Sequence, residues 1–369
     1  MPRGNVMLIR LRLKACFAIA IAIAISSMNY AFSAAITNGL IESKVMLSDA
    51  WNMYIDRFIT ADGRVIDDAN GDISHSEGQG YAMLIAVRLN DREMFHKIWR
   101  WTMDNLFVRR DGLPAWVWDP KATPHNRDID DATDGNLLIA WALAEAGTLW
   151  NRVDYSRAAR RLANIVGELD TAPSRFGPLL LPGSTAFGAS DRPDGPVVNA
   201  SYWVFPAFSP LKRISPKVDW VGLASNGLSV LKATRFGPER LPSDWISLAN
   251  RKTAPAHGFA PVFGYDAIRV PLYLSWGQPD NREALAVFAP LLRTYKNGTP
   301  SVIDLRTGNL TEPLGGEGYK AITALLECAL NGTRFPKELR TVRAELYYPT
   351  TLHILSLIAA GERYPKCLA

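Results

Sequence analysis

Apolar residues recur at helical spacing along almost the whole chain, and this recurrence constrains the fold more than any other feature. Trp51, Tyr54, Ile55 and Phe58 fall at i, i+3, i+4 and i+7. Phe95, Ile98, Trp99, Thr102 and Leu106 keep the same period, as do Tyr155, Ala158, Ala159, Leu162 and Val166, and Ile322, Leu325, Leu326 and Ala329. Residues so spaced share one face of an α-helix. Similar stretches lie at 79–89, 134–147, 219–232, 267–276, 282–296, 337–346 and 350–360. The pattern predicts about eleven helices and no comparable series of alternating strands. Short extended pieces are expected near 113–118 and 178–182. Pro/Gly-rich stretches at 171–197 and 236–264 carry several aromatics and few runs of charge, so they read as ordered loops. A helical solenoid would show a period of about 34 to 47 residues, and none is visible. A closed α/α toroid accounts for both the helices and the long loops, which would rim its central face. The fold expected is all-α, in a single domain over 35–369.

The front of the chain has a different character. Arg3, Arg10, Arg12 and Lys14 precede an unbroken apolar run from Ala15 to Ile25, and the small residues Ala31-Phe32-Ser33-Ala34-Ala35 follow. That is the anatomy of a secretory signal peptide over 1–34. The run falls short of the roughly 18 to 20 apolar residues that span a bilayer, so no stable membrane insertion is expected after cleavage. The full chain carries 41 basic and 36 acidic residues. Residues 1–34 hold four of the basic ones and no Asp or Glu, which leaves a near-neutral mature chain and removes the argument for nucleic acid. A periplasmic or secreted location is expected. With 48% hydrophobic and 21% charged residues the chain is not disordered. Three cysteines rule out a disulfide scaffold or Cys-rich zinc module. Cys328 lies in an apolar helical pattern and reads as a buried thiol rather than a bridge partner.

Three carboxylates stand at predicted helix starts. Ser76-Glu77-Gly78-Gln79-Gly80-Tyr81 begins one apolar helix, with Ser76 a suitable N-cap. Ala132-Thr133-Asp134-Gly135-Asn136 begins a second, and Gly264-Tyr265-Asp266-Ala267-Ile268-Arg269 a third. Each has an ordinary structural explanation. Glu77 complements a helix dipole, Asp134 caps a helix, and Asp266 pairs with Arg269 one turn on. The acidic run Asp128, Asp130, Asp131, Asp134 lacks the glycine and the closing Glu of a calcium loop, so no metal is expected. In a toroid, however, the inner helices are parallel and their N-termini meet on one face. Carboxylates across a cleft are what glycoside hydrolysis requires, one protonated to donate to the leaving oxygen and one ionised to activate water. A helix N-terminus suits the base; the acid needs burial or a neighbouring carboxylate to keep its proton. Trp116, Trp118, Tyr202, Trp203, Phe205, Tyr265, Tyr273 and Trp276 lie in or beside the same regions. Aromatic faces stack on the C–H faces of sugars, although Trp203 and Tyr273 read as core.

These blocks resemble glycoside hydrolase family 8, bacterial endo-acting enzymes that most often cut β-1,4-glucan. Ala132-Thr133-Asp134-Gly135, Ile139-Ala140, Ala142-Leu143, Ala146 and Trp150 are similar to the family's helix signature, with Asn136 where a second Asp is usual. Ser76-Glu77-Gly78-Gln79 and Tyr81 look like its general-acid block, and Tyr265-Asp266-Ala267 with Arg269 like its base block. Asn199-Ala200-Ser201-Tyr202 approximates an Asn-Pro-Ser-Tyr loop. The resemblance implies an (α/α)6 barrel and an inverting mechanism. Glu77 would be the acid, Asp266 the base, and Asp134 a residue that binds the central sugar or orients the water. It also implies substrate contacts from Tyr81, Trp118, Asn199, Tyr202, Tyr265 and Arg269.

The substrate so implied is a β-1,4-glucan, and no cofactor is called for. A similar group within the family is encoded with bacterial cellulose synthases, which suggests a cellulose synthase complex as partner. A monomer is expected. Two alternatives stay open: a glucan-binding relative without activity, which would have no need of both Glu77 and Asp266, and a family member acting on xylan, chitosan or mixed-linkage glucan.

Overall fold

A computed structural model describes residues 47–249, 252–295 and 299–369. The expected signal peptide lies outside these residues. The helices are α1 (47–58), α2 (Ser76–Arg88), α3 (Arg92–Asn105), α4 (Thr133–Leu149), α5 (Val153–Leu169), α6 (Phe205–Ile214) and α7 (Trp220–Ala233). They continue with α8 (Arg269–Gly277), α9 (Arg282–Ala286), α10 (Ala289–Thr294), α11 (Glu317–Asn331) and α12 (Tyr347–Arg363).

The helices form two concentric rings. In the inner ring α2 packs on α4, α4 on α6, α6 on α8, α8 on α11 and α12, and α12 back on α2. Of these, α2, α4, α8 and α12 are apolar nearly all round. In α2 every residue from Gly78 to Val87 is buried, and in α8 every residue from Arg269 to Trp276. A helix buried on all sides belongs inside the structure. The outer helices bury a single stripe. Examples are Phe95, Ile98, Trp99 and Thr102 of α3 on α2, and Tyr155, Ala159, Leu162 and Val166 of α5 on α4. Each large side chain so buried contributes about 1.5–3 kcal/mol. This is the (α/α)6 barrel expected.

Short antiparallel ladders pin the connecting loops over one end of the barrel. They are β1 (Ser74–His75) with β2 (Val117–Trp118), and β3 (Thr171–Ala172) with β4 (Leu179–Leu180). A three-stranded sheet joins β5 (Val197–Val198), β6 (Ile246–Ser247) and β7 (Ala254–Pro255). Another joins β8 (Val262–Phe263), β9 (Ser301–Asp304) and β10 (Leu310–Pro313). The described residues of both Pro/Gly-rich stretches are therefore tied into these sheets and turns, and the extended pieces near 113–118 and 178–182 are β2 and β4.

The structure corrects several expectations. Helix α6 carries Pro206 and Pro210, which concealed it; Pro206 falls in the first turn, where no N–H is needed. The described part of the stretch 282–296 holds two short helices, and only Lys337–Arg340 of 337–346 coils, as a 3-10 turn. Asp266 does not begin a helix, since α8 starts at Arg269 and Asp266 sits in the preceding turn. Cys328 is not a free thiol but forms a disulfide with Cys367, both buried. The bond ties the chain's C-terminal turn to α11.

Candidate active site

Residues at or just before the N-termini of all six inner helices line one cavity of about 830 Å³: Glu77, Asp134, Tyr202, Asp266 with Arg269, Gly315 and Tyr348. Two glycines let α2 and α4 approach closely enough to bring the first two carboxylates together. A Cβ on Gly80 would stand 2.6 Å from Leu138 Cβ, and one on Gly135 would stand 2.8 Å from the peptide nitrogen of Glu77. Neither separation is tolerable for a side chain, so the crossing requires glycine at both positions.

Arg269 organises the floor. Its Nη1 donates to Glu77 Oε1 and, at 2.8 Å, to Asp134 Oδ2; its Nη2 donates to Asp266 Oδ1 and Ser201 Oγ, each at 2.8 Å. The guanidinium is 3% exposed. The three sequence-marked carboxylates thus meet on one buried cation, with Glu77 and Asp266 on opposite nitrogens. Two of the three negative charges are uncompensated by Arg269. Burial, then the charge of Glu77, push the Asp134 carboxyl up to about 7, against the pull of Arg269.

The helix starts differ in detail from the sequence reading. The N-cap of α2 is His75, not Ser76: His75 Nδ1 accepts from Gly78 N at 3.0 Å. His75 Nε2 faces Asp67 Oδ2 at 3.4 Å, and Nδ1 lies 3.7 Å from Glu77 Oε2. Nδ1 must be unprotonated to accept, which places the ring proton on Nε2 toward Asp67. Asp134 does not cap α4; Ala132 holds the cap position without a side-chain bond, and Asp134 Oδ1 accepts from Gly135 N at 2.8 Å.

Tyr202, Tyr265 and Arg269 line the cavity. Tyr265 is 43% exposed at the rim and donates to Glu312 Oε1 at 2.8 Å. Tyr202 lies under Arg269, whose Cζ is 5.6 Å from the ring centroid. The structure places the other three elsewhere. Tyr81 is fully buried beneath Glu77, where its hydroxyl donates to Glu77 Oε1 at 3.0 Å and meets the Tyr273 hydroxyl. Asn199 is buried behind the cavity and accepts from Ser201 Oγ at 2.7 Å, so it acts on Arg269 through Ser201. Trp118 packs against Trp101, His125 and Arg64, and Trp116 supplies the cavity wall instead. Trp203 and Tyr273 are core, as read. Sequence reasoning gave no role to His75, Asp67, Ser201, Tyr319 or Tyr348; Ser201 lies inside a recognised block and His75 adjoins one, whereas the others have no local signal.

Asn136 points away from the cavity. Its amide donates to Asp131 Oδ2 at 2.8 Å and Asp170 Oδ2 at 3.0 Å. Burial, then the charge of Asp131, push Asp170 well above the usual carboxylate range. The departure from the family signature thus belongs to a buried network outside the cleft. Asp131 serves that network and Asp134 serves Arg269, so the acidic run is divided between two sites.

A closed double ring of helices with paired carboxylates in an aromatic-walled groove defines a glycosidase of the all-α class. The comparisons specify it further. The sequence profile of glycosyl hydrolases family 8 matches residues 13–362, and the chain belongs to that family and is a glycoside hydrolase. An endoglucanase of Cellulomonas uda is 37% identical over 71% of this chain and 72% of its own length. The structure of endo-beta-1,4-glucanase CMCax from Acetobacter xylinum superposes with a TM-score of 0.78 at 33% identity, covering 86% of this chain and 98% of that one. An endoglucanase from Komagataeibacter sucrofermentans gives 0.77 at 34% identity, with coverage of 86% and 98%.

Proposed function

We infer that the protein hydrolyses internal β-1,4-glucosidic bonds of a glucan, with inversion at the anomeric carbon. The observation that carries this reading is the attachment of Glu77, Asp134 and Asp266 to one buried guanidinium at the floor of an aromatic-walled groove. Glu77 takes the role of acid. Its proton passes to the glycosidic oxygen as the bond to the anomeric carbon breaks. Asp266 accepts a proton from water as the water oxygen attacks that carbon from the opposite face. Asp134 binds the central sugar. Tyr202, Tyr265 and Trp116 offer faces to the flanking sugars. An open groove suits internal cleavage of a long polymer.

The test is reducing-end release from carboxymethyl-cellulose by the protein, beside Glu77→Gln and Asp266→Asn. Activity in the wild type that falls by about two orders of magnitude or more in both variants supports the reading. A wild type that binds cello-oligosaccharides without cutting them would favour the non-catalytic alternative, and activity confined to xylan or chitosan would move the substrate.

Export and a place beside a cellulose synthase extend this proposal. The pattern of residues 1–34 supports export, as does the Cys328–Cys367 disulfide, a bond that persists in oxidising compartments. Intact cytoplasmic protein that retains residues 1–34 would count against it. The cellulose-synthesis role rests on resemblance alone, and unchanged cellulose fibrils in a deletion strain would remove it.

A further inference from the structure

Asp244 is a buried carboxylate that the proposed chemistry leaves without a role. It lies two residues before β6, is 8% exposed, and does not line the cavity. Its Oδ1 accepts from the peptide nitrogens of Gly264 at 2.7 Å and Ala267 at 2.9 Å. The peptide N–H of Asp266 acts on the same carboxyl group. Its own N–H donates to Val262 O at 2.8 Å, which fastens it to β8. The donors bracket Asp266 on both sides. Asp266 has no helix to hold it, because α8 begins three residues later.

We propose that Asp244 is a positioning residue for the base: by gathering the peptide N–H groups of the turn Gly264–Ala267, it fixes where the Asp266 carboxylate stands over the cleft. The inference rests on the reading of Asp266 as the base. Its physical ground is that a buried peptide N–H left unpaired is costly, so a turn deprived of its acceptor rearranges toward other partners. A shift of about 1 Å in a reacting group can cost about 100-fold in rate. Burial, then the charge of Asp266, push Asp244 up to about 7. A neutral acid accepts through one oxygen while the other carries the proton, and asparagine is the isostere of that form.

The experiment compares kcat and KM on a soluble β-1,4-glucan for the wild type, Asp244→Asn, Asp244→Ala, Gly264→Ala and Asp266→Asn, with folding checked by circular dichroism. Asp244→Ala is expected to lose on the order of 100-fold in kcat, with KM changing much less, because Asp244 does not touch the cleft and only Tyr265 of the turn meets the flanking sugars. Asp244→Asn is expected to keep kcat within about threefold, since its carbonyl replaces Oδ1. Gly264→Ala tests the same turn with Asp244 in place: its Cβ would stand 2.8 Å from Asp244 Oδ2. It should lower kcat to an intermediate value, with a smaller change in KM. It also decides the matter if Asp244→Ala does not fold. Wild-type kcat in Asp244→Ala or Gly264→Ala overturns the proposal. So does an Asp244→Asn as slow as Asp244→Ala, because charge rather than the acceptor oxygen would then matter. Full activity in Asp266→Asn would remove the base assignment, and this inference with it; an inactive Asp266→Asn beside fully active Asp244 variants would remove this inference alone.

Discussion

At the scale of residues, Arg269 carries the arrangement. A planar guanidinium reaches four acceptors from two nitrogens, whereas an ammonium is a single point of charge on a flexible stem. Arg269→Lys should leave Glu77 and Asp266 without a common tether, and kcat should fall about 100-fold. A variant that kept wild-type kcat would deny Arg269 its organising part. Asp134 allows a sharper test. Its folded pKa, about 7, lies above the ordinary value near 4. Folding therefore takes up a proton, so its contribution is full below pH 4 and is lost as pH rises to 7. Asp134→Asn removes that dependence. Its melting temperature should gain on the wild type as pH rises from 4 to 8, while activity is lost. An unchanged difference across that range would contradict the assignment. Asn136→Asp should act in reverse, setting a third carboxylate against Asp131 and Asp170. It should destabilise by about 1–3 kcal/mol at pH 7 and by less at pH 4, as read by urea unfolding at the two pH values.

At the scale of elements, the closeness of α2 and α4 decides whether Glu77 and Asp134 can share a cation. Gly135→Ala places a methyl group against Ser76 and the peptide nitrogen of Glu77. Overpacking of this kind costs about 1–3 kcal/mol. Both stability and kcat should fall, and a variant with normal values would show that the crossing has slack. The helices themselves were legible because outer elements such as α3 and α5 bury one regular stripe, and because α2, α4 and α12 are long apolar runs. Helix α6 was not legible: Pro206 and Pro210 look like breakers, and only the barrel supplies the packing that offsets them. The turn holding Asp266 read as a helix start because Ala267 and Ile268 continue the apolar pattern of α8. Glu77, Asp134, Asp266 and Arg269 could be picked out because each lies in a block with its own spacing. Asp244, Asp67 and Tyr348 could not, since their partners come from distant parts of the chain and their neighbours carry no pattern. The Cys328–Cys367 pairing was hidden for the same reason, the partners standing 39 positions apart in the sequence.

At the scale of the whole molecule, six helix N-termini converge on one cavity because the inner helices are parallel, and the loops that return the chain wall that cavity. The disulfide lies apart from this face. By loop-closure entropy it contributes at most about 4 kcal/mol. Reduction, or Cys328→Ser, should lower the urea midpoint without changing kcat; a parallel loss of kcat would mean that the C-terminal turn reaches the cleft. The central claim is that Glu77 and Asp266 act from opposite faces of the scissile bond with a water between them. It is tested most directly by proton NMR of the anomeric signals during hydrolysis of a cello-oligosaccharide, read before mutarotation. The account expects the α-anomer of the new reducing end to appear first. The β-anomer appearing first would mean retention, and would contradict the roles assigned to both carboxylates.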